Sequence, residues 1–315
     1  MSFTPTQAGQ HQVSVNFRGK HLQGSPFNLE VVDRPVKPYS RDYSKVGDQP
    51  ASQFGSYGAG DGQFQYPCSV MCNSRGEIVV VSDSHHIQVL DRKGKLMFQI
   101  GQKGQGNGQF YSPCSVTVDQ RNNQIVVADA SNHRIQIFDE KGTFLRVFGS
   151  NGNGDGQFSN PRGVVVDQQG NYVVADTDNH RIQIFSTQGQ FVRKFGSGGA
   201  GNGQMNSPWG VGLLSNGNIV VSECNGDRLQ IFDSEGNFVG FVGAGLVLNP
   251  FHLFVDSDDN ILVADQGNNR IQVFHQNGDH IKTIGAGQIF PRGVCMDSEG
   301  RIIVSEYQAH RISVF

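Results

Sequence analysis

The stretch VVADTDNHRIQIF, residues 173–185, decides how this chain is read. Asp176, Asp178, His180 and Arg181 all fall inside it, close enough for an acid, a base and a cation to form a catalytic cluster. The alternative is scaffolding. Recurrence separates the two, because a catalytic cluster is needed once. Related segments begin at Val80 (VVSDSHHIQVL), Val126 (VVADASNHRIQIF), Val220 (VVSECNGDRLQIF), Leu262 (LVADQGNNRIQVF) and Ile303 (IVSEYQAHRISVF). That makes six copies. Each follows a proline that leads an apolar run, at Pro67, Pro113, Pro161, Pro208, Pro250 and Pro291, with spacings of 46, 48, 47, 42 and 41 residues. A fixed period of this length marks a repeat architecture, in which each unit buries its apolar faces against its neighbours.

Each copy reads as four short strands. In the third, GVVVD (163–167) turns at Gln168–Asn171 into YVVAD, a loop at Thr177–His180 leads to RIQIF, and the glycine turn STQGQ leads to FVRKFGS. Five-residue runs of Val, Ile and Phe bounded by Gly, Asn and Asp are strand signals, and none has a helical period. Four strands per repeat predict an all-β fold, a six-bladed propeller. An acid closes the second strand of every copy: Asp83, Asp129, Asp176, Glu223, Asp265 and Glu306. Arg134, Arg181, Arg228, Arg270 and Arg311 open the third strand in five. These pairs read as architecture, with Asp bonding local backbone and Arg bracing the carboxylate.

The first copy departs from the rest. Its loop from Asp83 to Gln88 is two residues shorter than the one from Asp129 to Gln136, and it has His85–His86 where the others have an arginine. Neighbouring strand residues point apart and no third ligand is near in sequence, so a shortened turn is expected and not a metal site. No cofactor is expected.

The chain ends at Phe315, before any fourth strand of the sixth copy, while ASQFGSYG (51–58) precedes the first. The N-terminal piece is therefore expected to complete the last blade and remove an open strand edge. Residues 1–33 do not fit the repeat. Alternating Val13, Val15, Phe17 and then Phe27, Leu29, Val31 read as a hairpin turning at Arg18–Gly19, and the proline-bearing stretch 34–50 reads as a linker. Domains are thus expected at 1–33 and 51–315.

Composition excludes several functions. The net charge is −3. Removing the six basic and four acidic residues ahead of position 52 from the chain's 25 and 28 leaves the repeats at about −5. Neither DNA nor a membrane surface is suggested by that balance, and no apolar run approaches the roughly 20 residues of a bilayer span. Five cysteines, Cys68, Cys72, Cys114, Cys224 and Cys295, favour a reducing compartment, hence the cytoplasm. Cys68 and Cys114 occupy equivalent places and read as small packing residues. No catalytic residue is expected, because an enzyme needs unique groups and here the acids repeat.

DNHRIQIF, NPRGVVVD and FVRKFGSGGAGNGQM resemble NHL repeats, and AGQHQVSVNFRGKHLQGSPFNLEV resembles the last strands of a filamin-type immunoglobulin-like domain. That order is similar to the C-terminal part of TRIM-NHL proteins. The resemblance implies a recognition module that binds RNA, single-stranded or hairpin, on one propeller face for post-transcriptional regulation, or a protein partner recruited to a ubiquitin ligase. It also implies RING, B-box and coiled-coil segments in relatives, and this chain has no paired Cys/His zinc spacing. The propeller itself is expected to be monomeric.

The resemblance places the ligand face around each proline and just after each acid. Those positions hold Tyr66, Tyr111, Arg162, Trp209, Phe251, Phe290, Arg292 and Tyr307, with Ser84 as the first copy's member of the second set. Ring closure is expected to bring Phe290, Arg292 and Tyr307 beside Tyr66. Aromatics offer stacking of about 1–3 kcal/mol per base, but Arg162 and Arg292 are the only basic residues in this set.

Overall fold

The computed structural model describes residues 39–315 in full and, ahead of them, the backbone of four short strands: Gly9–Val13, Asn16–Phe17, Lys20–His21 and Phe27–Val31. Gly9–Val13 pairs antiparallel with Phe27–Val31, and Phe17 pairs with Lys20. The turn expected at Arg18–Gly19 lies outside the described residues. Residues 1–38 and 39–315 are separate units.

The second unit is six four-stranded antiparallel sheets in sequence order. Blade 3 shows the pattern: Pro161–Val166, Tyr172–Asp176, Arg181–Phe185 and Phe191–Phe195, from the central channel outward. Inner strands are buried and the outermost alternates, as strands packed on both faces and on one face must. Blade 6 takes its fourth strand, Ser52–Phe54, from the other end of the repeats, with Ile312 opposite Phe54 and Val314 opposite Ser52. Ring closure is as expected.

Apolar clusters lie between blades. The loops entering blades 1 to 4 end in GQF or GQM, and Phe64, Phe110, Phe158 and Met205 are fully buried, each aromatic contributing about 1.5–3 kcal/mol. The repeated acid and arginine pin that loop. Asp176, fully buried, accepts from the backbone N–H of Ser159 at 2.7 Å, Arg181 Nε at 2.7 Å, Asn179 Nδ2 at 2.9 Å and Gln183 Nε2 at 3.0 Å. Arg181 then donates to the carbonyls of Asn153, Gly154 and Gln157. Asp129–Arg134, Glu223–Arg228, Asp265–Arg270 and Glu306–Arg311 are built alike, with Nε–carboxylate distances of 2.7–2.9 Å.

Blade 1 corrects the reading of Asp83. Strand register sets Pro67 opposite Ser82, where Pro113 faces Asp129 and Pro161 faces Asp176. Ser82 therefore takes the acid's place and His86 the arginine's, and the loop is one residue short, not two. Five blades carry the pair, and Asp83 falls one position later.

The stretch read as a linker also differs from expectation from Tyr39 onward. Tyr43 and Val46 are buried in an apolar cluster of the propeller. Tyr43 donates to Asp256 at 2.6 Å, Tyr39 to Gln120 at 3.0 Å, and Arg41 to the carbonyls of Gly300 and Phe315. A few aromatic and hydroxyl groups dock this segment despite its prolines.

Candidate binding face and the central pocket

The residue after each blade-opening proline is the key to the site. Strand register slips just after every one of these prolines, and a bulge re-aims the side chain it displaces. The six positions are Cys68, Cys114, Arg162, Trp209, Phe251 and Arg292. Glycines let these inner strands close up: a Cβ on Gly163 would meet the carbonyl of Trp209 at 2.3 Å, and one on Gly210 the carbonyl of Phe251 at 2.6 Å. One side chain per blade thus converges at the mouth of the channel.

Four of them interlock. The Arg162 guanidinium lies 3.7 Å from the centre of the Trp209 ring, and Arg292 lies 5.0 Å from the same ring, 4.6 Å from Phe251 and 4.0 Å from Tyr307. Trp209 and Phe251 meet edge to face at 4.3 Å. Trp209 is only 6% exposed, so it and Phe251 form the wall behind the guanidiniums and not an open stacking surface, which corrects their placement on the face. The remaining two positions are small thiols, Cys68 and Cys114, and their side of the ring stays empty. The result is a pocket of about 80 Å³ lined by Cys68, Cys114, Arg162, Arg292, Tyr307 and Asp83, among others.

Asp83 occupies the ring position that Ala130, Thr177, Cys224, Gln266 and Tyr307 hold in the other blades, the place expected for Ser84. Burial raises its pKa against the opposing pull of Arg292 and His85. Below the mouth, His252 donates from Nε2 to the Cys114 carbonyl at 3.2 Å, and burial together with Arg292 lowers its pKa to about 3. Burial raises the Cys68 pKa, and its Sγ–H donates to the Tyr66 carbonyl, so it is a poor nucleophile. No cluster able to hold a metal occurs among the described residues.

From the pocket an aromatic strip runs to the rim. Tyr307 lies 5.0 Å from Tyr66, Tyr66 lies 4.6 Å from His310, and His310 lies 4.8 Å from Tyr57. Tyr57 is 62% exposed and Tyr66 40%. Arg292, Tyr307 and Tyr66 are thus brought together as closure predicts. Phe290 joins them through its carbonyl, which accepts from the Tyr307 N–H at 3.0 Å, and its exposed ring has no partner in the strip. Tyr111 stands apart, stacked on His85 at 5.4 Å. The repeated acids are fully buried beneath the entering loops and offer nothing to a ligand.

Sequence reading missed the histidines. His85, His133, His180 and His310 adopt left-handed backbone, and each accepts at Nδ1 from a backbone N–H at the start of the next blade: Ser112, Asn160, Ser207 and Tyr66, at 3.1–3.2 Å. They are clasps between blades. Their recurrence in DNHR and SNHR was the available signal.

Comparison with known proteins agrees with this architecture. The NHL repeat model matches residues 110–138, 158–185, 205–232, 253–274 and 289–315, in blades 2 to 6, and the Filamin/ABP280 repeat model matches residues 1–28. E3 ubiquitin-protein ligase TRIM71 of Rattus norvegicus is 36% identical over 90 residues, 28% of this chain and 10% of that protein. Protein lin-41 of Caenorhabditis elegans is 33% identical over 99 residues, 31% of this chain and 8% of that protein. A virginiamycin B lyase structure from Staphylococcus aureus superposes with a TM-score of 0.60 at 13% identity, over 84% of this chain and 97% of its own, a likeness of fold alone. The chain carries NHL repeats behind a filamin repeat, with TRIM71 and lin-41 as relatives over the NHL region, an arrangement consistent with the C-terminal part of TRIM-NHL proteins.

Proposed function

We propose that this propeller selects a protein partner, acting as a monomer in the cytoplasm and delivering the partner to a ubiquitin ligase. One observation carries the reading: the face offers aromatic rings, and its two arginines are drawn back into a small central pocket. The other arginines described on the repeats largely face acids of this chain, as Arg75 does Glu77 and Arg92 does Glu299. A domain near −5 lacks the electrostatic footprint of phosphate binding, while exposed tyrosines beside a partly buried arginine have the make-up of a protein hot spot. Relatives bear the name of ubiquitin ligases, which supports partner recruitment.

RNA recognition is the second reading, favoured by exposed Tyr57, Tyr66, Tyr111 and Phe290, whose rings are able to stack unpaired bases. The test is capture of partners by the intact chain with and without nuclease, beside a Tyr66→Ala, Tyr307→Ala variant. Nuclease-resistant capture that the variant loses supports the protein reading. Capture abolished by nuclease, with RNA affinity falling steeply with salt, establishes the RNA reading instead.

A further inference from the structure

We infer that the central pocket is a receptor for one carboxylate, supplied by an acidic side chain of a bound peptide whose main chain crosses the Tyr66–Tyr307 strip. This rests on the protein reading above and names the chemistry of the same site.

Charge is the first argument. Among the described residues, neither Arg162 nor Arg292 forms an ion pair, and the Nε of each is buried without a hydrogen-bond partner, as is Trp209 Nε1. Burying an unpaired guanidinium is costly, and ring faces offset only part of that cost. Two cations and one acid, Asp83, leave the pocket one positive charge in excess, which a single carboxylate balances. A guanidinium presents its donors in a fork that matches a carboxylate.

Size and shape are the second. At about 80 Å³ the pocket is small, with room for a compact polar group such as a carboxylate with its methylene. Arg162 and Arg292 line one side of it, with the Trp209 and Phe251 rings behind them. A phosphodiester continues the chain at two oxygens and fits so small a pocket less well than an end-on group, and a terminal phosphate brings a second negative charge against Asp83. A side-chain carboxylate enters end-on while its backbone stays on the face.

Trp209 is the only tryptophan of the chain, so its fluorescence reports on the pocket. The full chain is titrated with acetyl-glutamate amide, with the neutral acetyl-glutamine amide, with acetyl-alanine bearing a free terminal carboxylate, with inorganic phosphate and with an oligouridylate. The expected result is a saturable change with the glutamate probe that exceeds the other four. Arg292→Gln weakens it about thirtyfold or more, as loss of one partner of a buried charge pair does, and Asp83→Asn strengthens it by removing the like charge. If Arg292→Gln fails to fold, Asp83→Asn decides alone. Equal response to the glutamine probe, stronger response to acetyl-alanine, phosphate or oligouridylate, or no tightening in Asp83→Asn overturns the assignment. Nuclease-sensitive capture would instead sink the protein reading, while these titrations still judge the pocket by itself.

Discussion

Arg181 and Arg292 are the same residue in adjoining regions of one propeller, yet they do opposite things. At Arg181 the carboxylate of Asp176 lies 2.7 Å away, and three loop carbonyls take up three more of its donors. At Arg292 no carboxylate among the described residues comes within ion-pair distance, Asp83 acting only across the pocket, and three aromatic rings stand around the guanidinium within 5.0 Å. The first arrangement recurs in five blades and completes itself. The second occurs once, at the convergence of the blades, and is incomplete without something from outside. A cation satisfied internally holds the fold together; one left unsatisfied in a walled pocket is available to a ligand.

The largest effect expected belongs to the closure that brings blade 6 against blade 1. Deleting residues 51–58 removes the strand opposite Ile312–Val314 and takes Phe54 from the cluster between those blades. It also removes Tyr57 from the strip. The deleted chain should aggregate or lose its cooperative thermal transition, because the exposed edge invites pairing with other copies. A monomer that melts like the parent would show that closure does not depend on this strand.

Next comes the internally satisfied class. Asp176→Ala leaves the nearly buried Arg181 without its counter-charge and orphans donors from Ser159, Asn179 and Gln183. Breaking a buried pair from one side should cost about 3–5 kcal/mol, read as a lower urea midpoint with unchanged slope. Partner binding by the surviving folded protein should be unaltered. A variant with full stability and lost binding would erase the distinction between the two arginines.

How much of this contrast could be read in the sequence depends on which residues carry it. The scaffold repeats, so comparing copies finds it, and closure follows because one copy lacks a strand that sits at the other end. Asp83 falls outside the pattern that its letters suggest: VVSD in blade 1 resembles VVAD elsewhere, but strand pairing sets Ser82 in the acid's place. The pocket occurs once, so repetition cannot reveal it. Arg162 and Arg292 lie in blades 3 and 6, and only the bulges after the prolines and the close approach allowed by Gly163 and Gly210 bring them to one indole. The docking of Tyr39 and Tyr43 was hidden in a stretch whose composition resembles a linker.

A smaller effect probes the channel below the pocket. The pKa of His252 is lowered from 6.5 to about 3, so the native state binds fewer protons than the unfolded chain. Its contribution is complete above pH 6.5 and is lost as pH falls through the window down to about 3. The lowered pKa values of His85 and His86 act in the same direction, and the raised pKa of Asp83 opposes them. The melting temperature should fall by at least about 5 °C between roughly pH 7 and 4.5, and His252→Gln, which keeps a donor for the Cys114 carbonyl, should reduce that fall. An identical pH profile in the variant would mean that His252 is protonated in the folded protein.

The smallest expected effect on stability is the most discriminating. Methionine in place of Arg292 keeps an unbranched, polarizable side chain among Trp209, Phe251 and Tyr307. It forfeits cation–π attraction of about 0.5–2 kcal/mol and sheds the cost of holding an unpaired charge out of water, which is of similar size or larger. The two nearly cancel, so Arg292→Met should unfold within about 1 kcal/mol of the parent, and either sign is compatible with that balance. Arg181→Met faces no such compensation: it strands Asp176 in a fully buried place, and should cost about 3–5 kcal/mol. Urea unfolding of the two variants side by side reads the difference directly. If Arg292→Met proves as damaging as Arg181→Met, Arg292 is a structural residue with an internal partner, and the pocket it walls has no charge left for a ligand.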